Sequence, residues 1–115
     1  MPSPGDVILV WDRLTRPPKQ KIHICICDRR QLFLRINTRA IFQPCHRLAS
    51  ADNSFLSHDS FVELTQLVRH LAYDIGQALT IGRLSPRERI RLIAAAASAK
   101  TLSADYKALI AEKLA

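Results

Sequence analysis

The sequence predicts an α+β fold that is mainly β, with antiparallel strands first and helices after them. Two observations support this class. Before residue 67, several short runs carry apolar side chains at every second position, which is the period of a strand. After residue 84, apolar positions follow helical spacing behind a helix start signal. The chain has 115 residues, enough for one core, so we expect a single domain over 1–115, with strands over about 5–67 and helices over about 68–115.

The first two strands are predicted on either side of a basic loop. Residues 6–11, DVILVW, form a short apolar run after a Pro-Gly pair. Residues 12–20 are expected to be a loop, because the Pro-Pro pair at 17–18 lacks the N–H groups that a central strand needs. Residues 21–27, KIHICIC, form the second strand, and its apolar face carries Ile22, Ile24 and Ile26.

The rest of the sheet is predicted from shorter runs. A turn at 28–30 leads into 31–37, QLFLRIN, whose alternation makes it an antiparallel hairpin partner for the second strand. Residues 40–44 are expected to continue the sheet, and 60–67 form another strand. The polar segment between them, 45–59, is expected to be irregular.

A helix over 86–99 is the clearest element of the second half. Ser85 is a favourable N-cap, Pro86 suits the first helical position, and Glu88 completes a capping box. Its predicted apolar face consists of Ile90, Ile93, Ala94 and Ala97.

Two further helical segments are predicted around this helix. Residues 68–80 are expected to be helical as well. Lys100-Thr101 interrupts the apolar pattern, and Ser103 can cap a last helix. The apolar face of that helix consists of Leu109, Ile110 and Leu114.

His23, Cys25 and Cys27 raise the question of a metal site. Alternate residues of a strand lie roughly 6.6 Å apart, whereas sulfur ligands of one zinc ion lie within about 4 Å of each other. Three ligands from one flat strand therefore cannot bind one ion, and a site would need further ligands such as Cys45 and His46. We predict no metal site here, and we expect the cysteines to act as small buried hydrophobes and His23 to lie in the core or at the rim of a binding surface.

Charge is the most informative feature of the composition. The net charge is +7, and it is concentrated in residues 1–50, which carry nine basic and three acidic side chains. Such a basic half indicates a polyanionic partner (nucleic acid, an acidic protein segment or anionic lipid), although a solubilising surface charge is the alternative. There is no signal-peptide pattern and no long apolar run, and three cysteines do not suit a disulfide scaffold, so we expect a cytoplasmic protein without membrane contact.

Four weak motifs occur in a characteristic order along residues 4–100. They are PGDVILVW, the strand KIHICIC after a basic loop, LRINT, and SFVELTQLVRHL followed by IGRLSPRERIRLI. In this order the chain resembles the MazF/PemK/Kid family of toxins from toxin–antitoxin systems. The segment at 101–115 extends beyond the usual family ending.

The resemblance implies a fold, an activity and partners. The fold would be a small SH3-like antiparallel barrel with C-terminal helices. The activity would be that of a toxin: an endoribonuclease that cleaves single-stranded mRNA without a metal or other cofactor. The partners would be RNA, a second copy of the chain in a homodimer, and an antitoxin protein whose acidic segment covers the RNA groove.

The resemblance also assigns site residues. Lys21 stands where the family has its catalytic arginine, and Thr38 closes LRINT where the family has threonine or serine. His23 lies on the same strand face as Lys21 and has a side chain suited to proton transfer near neutral pH. We therefore predict Lys21, His23 and Thr38 as catalytic. The predicted RNA-binding residues, which would hold phosphates, are Arg13, Arg16, Lys19 and Arg39.

Two other readings stay open. Because lysine lacks the planar fork of arginine, the chain could be a non-catalytic barrel that binds nucleic acid or an acidic protein. Thr38 could also be a plain strand residue, and the basic loop could be a solvated one. The third reading is an unrelated small interaction or structural protein.

Overall fold

The strands and helices follow one another in a mixed order in the computed structural model, which describes residues 1–115. The strands are β1 (Asp6–Asp12), β2 (Lys19–Cys27), β3 (Leu32–Asn37), β4 (Cys45–Leu48), β5 (Ser60–Glu63), β6 (Val68–Arg69) and β7 (Leu79–Arg83). The helices are α1 (Ala72–Gly76), α2 (Pro86–Ser98) and α3 (Ala104–Leu114).

All seven strands belong to one antiparallel sheet. Six of them follow the order β4-β5-β3-β2-β1-β7, and β6 pairs with β3 beside this path. Two strands share the edge of β3 that faces away from β2. Along this edge, β5 pairs with Ile36 and Asn37 at one end, and β6 pairs with Leu32 and Phe33 at the other. The predicted hairpin is present, with His23 opposite Arg35. The α+β, mainly antiparallel prediction is thus confirmed.

Each central strand is buried on both faces. One face, with Ile22, Ile24 and Ile26 of β2, packs into the larger core, which α2 and α3 cover. The other face holds a smaller apolar cluster, including Cys25 and Phe33, to which β6 contributes Val68 and α1 contributes Ile75. Strands covered on both faces explain why KIHICIC is almost continuously apolar.

The helices begin where their capping residues predict. The Ser85 hydroxyl accepts a hydrogen bond from the Glu88 N–H, and the Ser103 hydroxyl accepts one from the Tyr106 N–H. In α3 the predicted face is buried: it consists of Leu109, Ile110 and Leu114. No helix in the structure has the length and apolar character needed to span a membrane.

Three sequence-based boundaries are corrected. Residues 40–44 are a loop, and the strand begins at Cys45, directly after Pro44, which has no N–H to donate to a ladder. The segment 45–59 therefore contains β4. Residues 68–80 are mostly not helical: Val68 pairs with Phe33, and Leu79 and Thr80 pair with β1. The sheet thus extends to residue 83, past the predicted limit of 67.

The prediction of which face of α2 is buried is wrong, because the helix is rotated about its axis relative to the predicted orientation. Ile93 packs partly on the core, but Ile90, Ala94 and Ala97 are exposed, and Leu92 and Ala96 are buried instead. Glu88, Leu92 and Ala96, which are spaced four residues apart, face the core together. Glu88 can be buried there because it accepts a hydrogen bond from Asn53 and lies 3.2 Å from the His46 ring nitrogen.

The sheet is open, because β4 and β7 form its two ends and do not pair with each other. A closed barrel would require that pairing. The SH3-like barrel therefore stays a prediction, while the antiparallel sheet with helices packed on it is the observed architecture.

The rotated helix yields a matched pair of substitutions. We expect Leu92→Ala to lower the free energy of unfolding by about 2–5 kcal/mol, because Leu92 is fully buried. Ile90→Ala should change it by less than about 0.5 kcal/mol, because that side chain is 69% exposed. Urea denaturation followed by circular dichroism measures both. A larger loss for Ile90→Ala would contradict the observed helix orientation.

Candidate functional site

A groove of about 760 Å³ lies between two loops that flank the sheet. The β1–β2 loop forms one wall, and the loop after β3 forms the other. Polar side chains from β2, β3 and the region of β5 form the floor. The lining residues are Leu14, Thr15, Arg16, Lys19, Lys21, Arg35, Asn37, Thr38, Arg39, Ile41, Phe42, Glu63, Thr65 and Gln66.

A second cavity of about 420 Å³ adjoins the groove. The two share four residues: Lys19, Lys21, Asn37 and Thr38. The loop before β5 completes the second cavity with Ser57 and His58, and His58 is exposed. Lys21 and Thr38 therefore lie at the junction of two open spaces.

A chain of hydrogen bonds crosses the groove floor. The Lys21 ammonium donates to the Asn37 amide oxygen, and the Asn37 amide nitrogen donates to Glu63 at 3.0 Å. Thr65 donates to the other oxygen of Glu63. Burial, reinforced by the charges of Arg35 and Lys19, lowers the pKa of Lys21. The floor thus holds its cation at a fixed position.

Arg35 connects the groove floor to a buried carboxylate behind it. Its Nε donates to Oδ2 of Asp12 at 2.7 Å, and its NH1 lies 3.8 Å from Glu63. The backbone N–H of Leu14 donates to the other oxygen of Asp12. Burial alone would raise the pKa of Asp12, but the polar contacts with His23 and Arg35 outweigh it and hold this pKa well below its usual range.

Two buried histidines lie on the far side of Asp12. Nε2 of His23 is 3.2 Å from Oδ2 of Asp12, although it makes no aligned hydrogen bond. The His70 ring lies edge-on to the His23 ring, with centroids 4.6 Å apart, and its Nε2 is buried without a partner. Burial, reinforced by the nearby His23, lowers the pKa of His70 to about 4.

Two of the three residues predicted to be catalytic come together. Lys21 and Thr38 line both the groove and the adjoining cavity. His23 is fully buried and lines neither space. Although His23 and Lys21 share a strand face, the His23 ring lies in the interior, where it contacts Asp12 and His70. The expectation that all three meet at one open site is therefore not met.

Three of the four predicted RNA-binding residues line the groove. They are Arg16, Lys19 and Arg39. Arg13 does not: its guanidinium donates to both carboxylate oxygens of Asp74, at 2.7 and 3.0 Å. These hydrogen bonds lower the pKa of Asp74. Arg13 thus fastens the loop to α1.

Sequence reasoning missed several groove residues. Arg35 and Asn37 alternate on the β3 face that also carries Phe33, a signal that was available from the period of two. Glu63 and His58 come from the segment around β5, and nothing in the sequence indicates that β5 pairs with β3. That long-range pairing brings them to the site.

The three cysteines are free thiols, and Cys25 and Cys27 are buried. Burial raises the pKa of the Cys25 thiol to about 12, which keeps it protonated and unreactive. This agrees with their predicted role as small buried hydrophobes. The cluster whose atoms could hold a metal ion contains no cysteine: it consists of Asp12, His23 and His70.

Comparisons of the chain with protein-family models, with curated proteins and with solved structures found no match.

The two loop arginines should contribute unequally to binding of a polyanion. We expect Arg16→Ala to weaken binding of a single-stranded oligonucleotide and to reduce the slope of log K against log salt by about 0.7, the loss of one phosphate contact. Arg13→Ala is the matched control, because its guanidinium is occupied by Asp74. Fluorescence anisotropy at several salt concentrations measures both. Equal losses would place Arg13 at the binding surface.

Proposed function

We propose that the protein is an endoribonuclease that cleaves single-stranded RNA in the basic groove, in the manner expected of a MazF/PemK/Kid toxin. One observation carries the proposal: Lys21 and Thr38 lie together at the junction of the groove and its adjoining cavity. A cation and a hydroxyl donor at one open position can both contact a phosphate.

The charge of the groove supports a polyanionic ligand. Five cationic side chains line it against one carboxylate, Glu63, and that carboxylate accepts from Asn37 and Thr65. The cationic side chains are Arg16, Lys19, Lys21, Arg35 and Arg39. Because Glu63 is already hydrogen-bonded within the protein, it repels an incoming phosphate less than a free carboxylate would.

The wall of the groove also supports an unpaired strand as ligand. Phe42 lines the groove and is 50% exposed, so its ring can stack on a base that is not paired. Phe33 and Trp11 are less suited to this role, because Phe33 is fully buried and Trp11 lies outside the groove.

The chemistry uses the RNA's own 2′-hydroxyl. Its oxygen attacks the adjacent phosphorus and the bond from phosphorus to the 5′ oxygen breaks. The 5′ oxygen takes up a proton from water, so a cyclic phosphate and a 5′-hydroxyl result. Lys21 stabilises the charge on the phosphate oxygens, and Thr38 donates a hydrogen bond to one of them. His58 in the adjoining cavity is the group that can take the proton from the 2′-hydroxyl.

The proposal includes the wider expectations of the resemblance. These are closure of the sheet into an SH3-like barrel, a cytoplasmic site of action, an acidic antitoxin partner and a homodimer. The register shifts in β1 and β2 support a strongly curved sheet. Large exposed apolar side chains such as Leu79 and Ile90 are available to a second copy, and sedimentation velocity reads the mass directly.

A second candidate function is binding of nucleic acid without cleavage. Lys21 favours it, because a lysine at this position offers a point charge and lacks the bidentate geometry of arginine. Salt-dependent binding of RNA that stays intact would support this candidate.

Lys21 gives the decisive test of cleavage. We expect Lys21→Ala to abolish the appearance of discrete fragments from a long RNA in EDTA, because no other cation occupies that strand position. Lys21→Arg should preserve or raise the rate through bidentate contact with the phosphate. Thr38→Ala should cost about 1.5–3 kcal/mol of transition-state stabilisation, the value of one hydrogen bond to a charged group.

The control for this series is Lys100→Ala, which removes an exposed lysine outside the groove. Gel electrophoresis of the RNA reads all four variants. Fragments from Lys21→Ala at the wild-type rate would refute the proposed site.

The histidine of the adjoining cavity should contribute to the cleavage rate as the general base. We expect His58→Ala to lower the cleavage rate by about 10²–10⁴-fold, because proton transfer by a positioned side chain is worth that much. His46→Gln serves as control, since His46 lies against Glu88 on α2 and lines neither space. An unchanged cleavage rate in His58→Ala would exclude it as the base.

A further inference from the structure

We propose that Asp12, His23 and His70 form a buried binding site for a divalent transition-metal ion of the zinc type. A ring nitrogen from each histidine and a carboxylate oxygen of Asp12 all lie within 4.8 Å of one another. All three residues are at least nine-tenths buried. The site is separate from the groove and does not depend on the proposed ribonuclease activity.

The hydrogen bonding of His23 identifies the nitrogen that faces the site. Its Nδ1 lies 3.2 Å from the Lys21 backbone carbonyl, and a carbonyl can only accept, so Nδ1 carries the hydrogen. In the neutral ring, Nε2 then has a free lone pair and lies 3.2 Å from the Asp12 carboxylate, without being aligned for a hydrogen bond to it. Two lone pairs in contact repel each other unless a cation lies between them.

This arrangement is the one that metal-binding histidines adopt. A ligating histidine commonly donates its other ring N–H to a backbone carbonyl, which fixes the ring orientation and the tautomer. In a tetrahedral site with metal–ligand distances of about 2.0–2.1 Å, neighbouring ligand atoms lie about 3.3 Å apart. The 3.2 Å between His23 and Asp12 fits that separation.

His70 supplies the third ligand. Its Nε2 is buried and has no hydrogen-bond partner, which is costly for a polar atom in the interior. The two rings are nearly perpendicular, with centroids 4.6 Å apart, and a nitrogen of each lies within 4.8 Å of the other and of an Asp12 oxygen. Two imidazoles and one carboxylate form a donor set that suits Zn²⁺, with its fourth position left to a water molecule.

Asp12 has the capacity to bind a metal despite its contact with Arg35. A carboxylate offers about four lone-pair positions. Two are used, one by the Leu14 N–H and one by Arg35 Nε. Ligating carboxylates are themselves commonly hydrogen-bonded, so these contacts would orient the ligand.

The three ligands come from separate parts of the fold. Asp12 ends β1, His23 lies in β2, and His70 directly follows β6. A bound ion would therefore fasten the β6–α1 segment to the second face of the sheet. The ion would add to the existing anchors of this segment, which are the two-residue strand β6, the burial of Ile75 and the Arg13–Asp74 pair.

The test uses the full-length protein, after dialysis against chelator, with Zn²⁺ and Co²⁺ as probes. We expect isothermal titration to give one Zn²⁺ per chain, Zn²⁺ to raise the melting temperature, and Co²⁺ to give the visible absorption of a four-coordinate site. His70→Gln should lose all three effects, and circular dichroism checks its fold. His58→Gln, an exposed histidine outside the cluster, should retain them.

Each outcome decides the proposal. No uptake of Zn²⁺ by the wild type would overturn the proposal. Uptake that survives His70→Gln would place the metal elsewhere and overturn it as well. Should His70→Gln fail to fold, the wild-type titration and the Co²⁺ spectrum still decide.

Discussion

The pairing of Arg35 with Asp12 is the interaction on which the arrangement of the site depends. Both side chains are largely withdrawn from water: Asp12 is fully buried, and the Arg35 side chain is 11% exposed. An unpaired charge at either position would cost several kcal/mol, on the order of 3–5 for a broken buried pair. The pair therefore fixes β1 relative to β3, and through Glu63 it extends to β5. The groove floor, which β2, β3 and the region of β5 form, contains Arg35 and Glu63 of this network.

The two faces of the sheet divide the work of the molecule. The face under α2 and α3 is apolar and supplies most of the buried hydrophobic area, so it carries the stability. The opposite face begins apolar at Cys25 and Phe33 and becomes polar toward the groove, where Lys21 and Asn37 follow on the same strands. Strand alternation lets one segment serve both purposes, because neighbouring residues point to opposite faces.

The groove and the buried cluster are connected but chemically distinct. Arg35 faces both, with Asp12 on one side and Glu63 on the other. The groove offers mobile ligands a concave cationic surface. The cluster offers two imidazoles and a carboxylate in a place that water does not reach easily. A shift of Asp12 in the cluster would therefore move Arg35, and Arg35 would in turn change the shape of the groove.

The sequence by itself determined the elements whose information is local. Alternation predicted β1, β2, β3 and β5, and capping at Ser85 and Ser103 predicted α2 and α3, because period and capping act within a few residues. The sequence also identified Lys21 and Thr38 as candidate site residues. Tertiary structure alone decided the rest. The face of α2 that carries Glu88 and Leu92 is buried, and Glu88 is satisfied there by Asn53 and His46, which are distant in sequence. The helix predicted over 68–80 is reduced to α1, because β6 pairs with β3 and β7 pairs with β1. His23, which was predicted at the open site, is buried instead. Its neighbours there are Asp12 and His70, which are distant in sequence and adjacent only in the folded chain.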